Sequence, residues 1–307
     1  MIFPFSWDPV TDFRFMWQFE FMRNAFEAGT IIAIVAGIIG YFVVLRRSAF
    51  ATHALGHVGF SGAAGAVFLG VNPVYGLLAF TMSGAAGMAV LGRRAATRDI
   101  EIGTVLAFML GLGLLFLSLY KGFATEAYSI LFGEVLGISD SGVLFTLETS
   151  VIVLAVMLLI YRRLLFASLD EEVAEAKGLP LLALGLVFMV LLAVAISIAV
   201  QVIGVLLIFA LMVTPAAIAV RLTKSPLSAI IVSVLISVFS VWLGLFLAFY
   251  SADLGPTFSL APTSFFIVTT AFVLYVAVRA ALLVSVRLSP RAAEEVHTEL
   301  SVGHGST

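Results

Sequence analysis

The chain contains no cysteine, which excludes disulfides, a thiolate metal centre and a cysteine nucleophile. Charge is scarce as well: charged residues make up 11% of the 307 positions, against about 25% in soluble domains. A net charge of −2 excludes a broadly basic nucleic-acid binder. There is no GxxxxGK[ST] phosphate loop, no HExxH pair, no GxSxG elbow and no paired aspartate within an apolar run. The first absence removes ATP hydrolysis by the phosphate-loop route, and the others argue against an enzyme working inside a membrane.

What is present is apolar surface. Hydrophobic residues reach 62%, more than a water-soluble domain of this length could hide. The composition predicts an all-α, polytopic membrane bundle of about eight or nine transmembrane helices. Apolar runs lie at about 29–45, 50–71, 73–91, 100–120, 141–161, 179–199, 201–221, 227–250 and 264–286. The runs at 179–199 and 201–221 follow so closely that they predict a tight hairpin or a broken helix. Ahead of the first span, residues 1–28 read as an interfacial segment. Phe15, Phe19, Met22 and Phe26 fall at helical spacing, although Phe13, Phe15, Trp17, Phe19 and Phe21 also alternate as in a strand. Residues 29–286 form the transmembrane domain, and 287–307 read as a disordered tail holding His297 and His304.

Orientation follows from the positive-inside rule. With nine spans and the N-terminus outside, thirteen Lys and Arg residues fall on the inner side, among them Arg46, Arg47, Arg162, Arg163, Lys177, Arg221 and Arg279. Only Arg14, Arg23 and Lys121 fall outside. The outer face collects Asp8, Asp12, Glu20, Glu27, Glu126, Glu134, Asp140 and Asp253, carboxylates that would raise the local cation concentration or simply be solvated.

Ionisable side chains inside a span are costly and mark function by default. His53 and His57 stand four apart in the second span, on one helical face with Cβ atoms about 6 Å apart. Two neutral imidazoles at that spacing can share one divalent metal ion. His57 lies about 10–12 Å deep, near the bilayer midplane. Gly56, Gly59, Gly62 and Gly65 follow at three-residue steps, which makes a thin helix able to pack deep in a bundle. The competing reading is two histidines that hydrogen-bond across a packed interface. Glu148, about two turns into the fifth span, is a further candidate for an ion path or a neighbouring pair.

The longest inner connection runs from Arg162 to Gly178. Ser168 with Glu171 three residues on reads as a capping box, and Gly178 suits the position after a helix end. This predicts a helix of about nine residues within 168–178, with Leu169, Val173 and Ala176 as its apolar face and the glutamates opposite. It is either a surface connector or a knob that inserts into a cytosolic partner.

Taken together, these segments resemble the permease subunit of bacterial zinc, manganese and iron ABC importers. The resemblance runs in order from about residue 20 to 286. It is carried by Phe21-Met-Arg-Asn-Ala-Phe through Arg46-Arg47, by His53-Ala-Leu-Gly-His57-Val-Gly-Phe-Ser-Gly62, by Ile130-Leu-Phe-Gly133, by Leu169-Asp170-Glu171 onward to Ala174 and Gly178, and most closely by Gln201-Val-Ile-Gly204 through Thr214-Pro215-Ala. It implies a multi-pass permease of the bacterial plasma membrane that moves a divalent metal ion, needs no resident cofactor, and leaves ATP hydrolysis to separate cytosolic ABC ATPase subunits. Those subunits would engage the segment around Asp170. An extracytoplasmic metal-binding protein would deliver the ion, and a second permease copy or a related permease would complete a dimer within the lipid. His57 carries over as the motif histidine on the metal path. His53 departs from the family pattern, which more often has an acidic residue there, and so favours zinc slightly. Glu134, where a small or amide residue is more usual, would restore a carboxylate. The residues alone leave open a proton-coupled secondary metal transporter, with His53, His57 and Glu148 as relay, or a non-transporting membrane scaffold.

Overall fold

The computed structural model describes residues 9–91, 98–120, 133, 135–252 and 261–287. Glu126, Glu134, Asp253, the Ile130–Phe132 part of one motif and the tail with His297 and His304 lie outside the described residues. Among those described, the chain forms eleven α-helices, two short 3-10 turns and no strand. The helices are α1 (Pro9–Met16), α2 (Glu20–Leu45), α3 (Ala49–Phe68), α4 (Pro73–Leu91), α5 (Arg98–Leu119), α6 (Asp140–Leu169), α7 (Glu171–Ala176), α8 (Leu181–Ile203), α9 (Val205–Leu222), α10 (Pro226–Phe249) and α11 (Thr263–Arg287).

Nine of these, α2 to α6 and α8 to α11, coincide with the nine apolar runs. Six are long and apolar enough to cross a membrane by length and composition alone, namely α2, α5, α6, α8, α10 and α11. The glycine- and alanine-rich α3 and α4 and the shorter α9 pack among them. Their centre is α2, α3, α8 and α9. α2 packs on α10, α9 and α6; α3 packs on α4 and α5 and also on α8 and α9; α11 lies over α10 and α9. Most of α2 and α8 is buried, whereas α5 and α11 are mostly exposed and form the rim.

Inside a bilayer, apolar burial cannot by itself hold helices together, so close packing and interhelical hydrogen bonds must do it. The sequence supplies both. A Cβ at Gly62 would collide with the carbonyl oxygen of Gly76 on α4, and a Cβ at Gly76 would collide with that of Gly62. Gly40 of α2 sits in the same way against the Met212 carbonyl of α9. Thr81 and Ser197, both buried, share a hydrogen bond at 2.7 Å that joins α4 to α8.

Three expectations change. The N-terminal stretch is not one interfacial helix. It breaks at Trp17–Phe19, and α2 begins at Glu20, so residues 20–28 belong to the first span. The reason is an aromatic cluster: Phe13 of α1 stacks on Trp242 of α10 at 5.7 Å and meets Phe26 of α2 edge-on at 5.5 Å. This folds α1 back onto the bundle. Asp12 is buried with it rather than solvated.

The second change concerns 168–178. α6 continues as helix to Leu169, and the Ser168 hydroxyl donates to the Leu164 carbonyl within that helix at 2.5 Å. Asp170, not Ser168, therefore caps the next helix, accepting from the Val173 amide at 3.0 Å. α7 is accordingly six residues long. Its end is as read: Gly178 has φ +77°, Gly178 N donates to Glu175 O, and Leu179 N donates to Ala174 O, the Schellman pattern.

The third is the apolar face of that helix. Ala174 alone is buried on α7, against Ala167 and Leu184, while Leu169 is 61% and Val173 42% exposed.

The close pair of runs resolves as two helices joined by the single residue Gly204, at φ +84°. Gly133, also left-handed, packs on this joint, where a Cβ would lie 2.5 Å from the Gly204 nitrogen.

Candidate metal site

From Ala51 to Val67 every residue of α3 is buried except two, and those two are His53 and His57, both half-buried. The glycines explain the packing around them. Gly56 faces Val205 and Ile208 of α9, Gly59 faces Thr81 and Leu77 of α4, and Gly65 lies against Phe116 of α5. With α4, α5 and α9 drawn in on these small residues, the imidazoles are left as the face of α3 that keeps accessible surface.

The two rings stand 4.7 Å apart between centroids, edge to face at 82°. The phenyl ring of Phe209 on α9 meets His53 at 5.3 Å and 72°, so the row of rings is His57, His53, Phe209. Helical rise places His57 about 12 Å from the start of α3. Its Nδ1 is buried and has no hydrogen-bond partner, an arrangement that costs about 1–3 kcal/mol when nothing occupies the position and that a divalent ion would relieve. Ser61 does not satisfy it: that hydroxyl donates to the His57 backbone carbonyl at 3.1 Å and to the Met109 carbonyl.

Among the described residues no third ligand joins the pair: no group of three or more His, Cys, Asp or Glu side chains there could hold a metal ion. Glu148 is exposed on α6, a helix that packs on α2 and α8. It falls on the outer flank because Thr146 and Ser150, two residues either side, take the inward positions. Glu134 lies outside the described residues. A two-imidazole site with open positions is weak and exchangeable, which suits passage rather than storage.

The segment from Leu169 to Gly178 is a separate feature near the start of α3, where Arg46 and Ser48 line one cavity with Glu171 and Glu175. Leu169 ends α6, Asp170 caps α7, Glu171 opens it, Ala174 seats it and Gly178 closes it. Sequence reasoning missed Arg46 here. It reads as one more inner-face cation, but its guanidinium lies over the Phe188 ring at 5.5 Å and donates to Ser168 Oγ at 3.2 Å. It missed Phe209 as well, since nothing local ties residue 209 to residue 53.

The fold and this pair define a polytopic membrane permease with a histidine face on a thin central helix. The model of the ABC 3 transport family matches residues 18–279, and the chain belongs to that family. It is 30% identical over 257 residues to the manganese transport system membrane protein MntC of Listeria monocytogenes, covering 83% of this chain and 91% of that one. It is 27% identical over 254 residues to the high-affinity zinc uptake system membrane protein ZnuB of Haemophilus influenzae, covering 82% and 97%. Among solved structures it resembles PsaBC from Streptococcus pneumoniae in complex with Fab, with a TM-score of 0.76, 28% identity, and coverage of 88% of this chain and 94% of that one.

Proposed function

We propose that this chain is the transmembrane permease of an ATP-driven ABC importer for a divalent transition-metal ion, with zinc and manganese ahead of iron(II). The observation that carries the reading is the pair of half-buried histidines on an otherwise buried helix in a member of the ABC 3 transport family. The named relatives, one for manganese and one for zinc, support the class of cargo. Imidazole serves all three ions.

The ion passes from an extracytoplasmic metal-binding protein to the outer face, resides briefly on His53 and His57, and leaves to the cytoplasm by alternating access. The N-terminus is outside and the tail inside the bacterial inner membrane, an orientation supported by thirteen inner against three outer cations. A second copy or a related permease completes the assembly. ATP is hydrolysed by separate cytosolic subunits that dock on α7, where Leu169 and Val173 expose apolar surface beside Glu171 and Glu172. An apolar pair left open where α6 ends and a short capped helix follows is the kind of knob a partner groove takes.

Replacing Leu169 and Val173 together by aspartate is expected to weaken ATPase binding by at least about tenfold, since burying one such side chain is worth about 1.5–3 kcal/mol and about 1.4 kcal/mol is a factor of ten. Co-purification and titration of the ATPase onto the permease in detergent measure this. Undiminished binding places the docking surface elsewhere.

A further inference from the structure

The turn between α2 and α3 is stiff. Ser48 N donates to Val43 O at 2.8 Å and Arg47 N to Val44 O at 3.2 Å, a Schellman ending in which Arg47, at φ +53°, stands in the left-handed position that glycine usually fills. The next residue, Ser48, is the N-cap of α3, its carbonyl accepting from both the amide and the hydroxyl of Thr52 at 3.0 Å. His53 follows directly. A tilt imposed on this turn therefore moves the histidine pair with it.

Arg46 ties that turn to the α7 region. Its guanidinium stacks on Phe188 of α8 and donates to Ser168 of α6; Ser168 in turn donates to the Leu164 carbonyl, which fixes its lone pairs toward Arg46. The same arginine lines a cavity of about 380 Å³ together with Glu171 and Glu175 of α7. α7 itself rests, through Ala174, on Ala167 of α6 and Leu184 of α8, the two helices that Arg46 grips. An ordinary inner-face anchor would extend to water or headgroups, whereas Arg46 is half-buried and turned inward.

We infer that Arg46 is the positioning residue through which displacement of α7 reaches the histidine-bearing helix. The inference rests on the importer reading above and deepens it by naming the link between the docking helix and the metal site. Arg46 touches neither the ion nor ATP. It holds α6, α8 and the α2–α3 turn as one body, so that a push on α7 is delivered at Ser48.

The test uses Arg46→Gln, Arg46→Lys and Ser168→Ala in the permease reconstituted with its ATPase and binding protein, with radioactive zinc as the probe. In Arg46→Gln, zinc moved per ATP hydrolysed is expected to fall at least about tenfold, coupling between sites being commonly worth about 5–150-fold. ATPase co-purification and equilibrium zinc binding to the solubilised permease stay at the wild-type level. Arg46→Lys keeps the charge but not the planar stack and falls between, as does Ser168→Ala. Wild-type zinc per ATP in Arg46→Gln overturns the inference, and so does loss of the ATPase, which would make Arg46 a docking residue.

A second readout separates this from a failure of the importer reading. Because the chain has no cysteine, spin labels at Phe50→Cys on α3 and Glu172→Cys on α7 are unique. The distance distribution between them is expected to be narrow with Arg46 and broad with Arg46→Gln, whatever the cargo. An unchanged distribution overturns the relay.

Discussion

Replacing His57 by alanine is expected to abolish ATP-driven metal uptake while leaving the folded permease and its ATPase binding intact. His57 contributes one of only two imidazoles on the accessible face of α3, and no third His, Cys, Asp or Glu among the described residues stands ready to replace it. Removing even an outer-shell partner of a metal costs about 10–100-fold in affinity, so loss of one of two direct ligands is expected to reduce uptake by about 100-fold or more. Stability should not suffer, because alanine is a better helix former and the substitution removes a buried nitrogen that has no hydrogen-bond partner.

His53→Ala is expected to give a similar loss, and His53→Asp a change of preference instead. A carboxylate hardens the site and moves it from zinc towards manganese. The sign of the pH response follows from the same chemistry. Imidazole binds metal only when neutral, so wild-type uptake falls as pH drops through the imidazole range, and His53→Asp loses part of that dependence. Initial uptake rates of zinc and manganese across pH, at equal ATPase loading, measure all three variants. Wild-type uptake by His57→Ala would move the ion path away from α3.

The second large effect is structural. Gly62→Val and Gly76→Val are each expected to prevent assembly of the bundle. At this crossing the two backbones touch directly, each glycine against the other's carbonyl oxygen, and a Cβ built on Gly62 would also lie 2.6 Å from Phe80 Cβ. A backbone oxygen cannot rotate away as a flexible side-chain end can. The ordinary overpacking cost of about 1–3 kcal/mol is therefore a lower bound. α3 would be driven off α4, and with it the histidines off their place opposite Phe209. Gly87, on the same α4 but with nothing within 4 Å of a built Cβ, is the control. Gly87→Ala is expected to be neutral or to stabilise by up to about 1 kcal/mol. Thermal unfolding of the detergent-solubilised protein, followed by gel filtration, should show both valine variants aggregated and Gly87→Ala monodisperse.

Much of this architecture was legible because it is local. Nine apolar runs became nine helices, since a stretch of about twenty apolar residues has one stable form in lipid. The histidine face was legible because residues four apart on a helix must share a side, and the glycine steps foretold a helix thin enough to be enclosed. Two runs too close for a loop did resolve as two abutting helices, although the joint falls at Gly204 and not between 199 and 201 where the runs part.

What could not be read depended on distant partners. Ser168 has every local feature of a cap, yet the hydroxyl is taken by Leu164 and Arg46 once α6 extends past it, and the cap passes to Asp170. Whether the aromatic residues near the N-terminus lie in the interface or fold back was decided by Trp242, more than two hundred residues on. Trp242 itself is held by a hydrogen bond to Thr30 at 2.8 Å. Glu148 looked costly inside a span, but which flank of α6 it occupies depends on where α2 and α8 pack, and it is exposed. Arg46 and Phe209 gain their significance only from residues brought to them by the fold.

ATP hydrolysis, and no ion gradient, is expected to drive a divalent metal ion past His53 and His57. This is tested most directly by radioactive zinc and manganese accumulation in proteoliposomes that contain the permease, its ATPase and its binding protein, with ATP and a proton gradient supplied separately. Accumulation of at least one of the two ions is expected with ATP alone, undisturbed by a protonophore and lost in His57→Ala. Accumulation that ignores ATP and collapses with the proton gradient would contradict it and would make the histidines a proton relay in a secondary transporter.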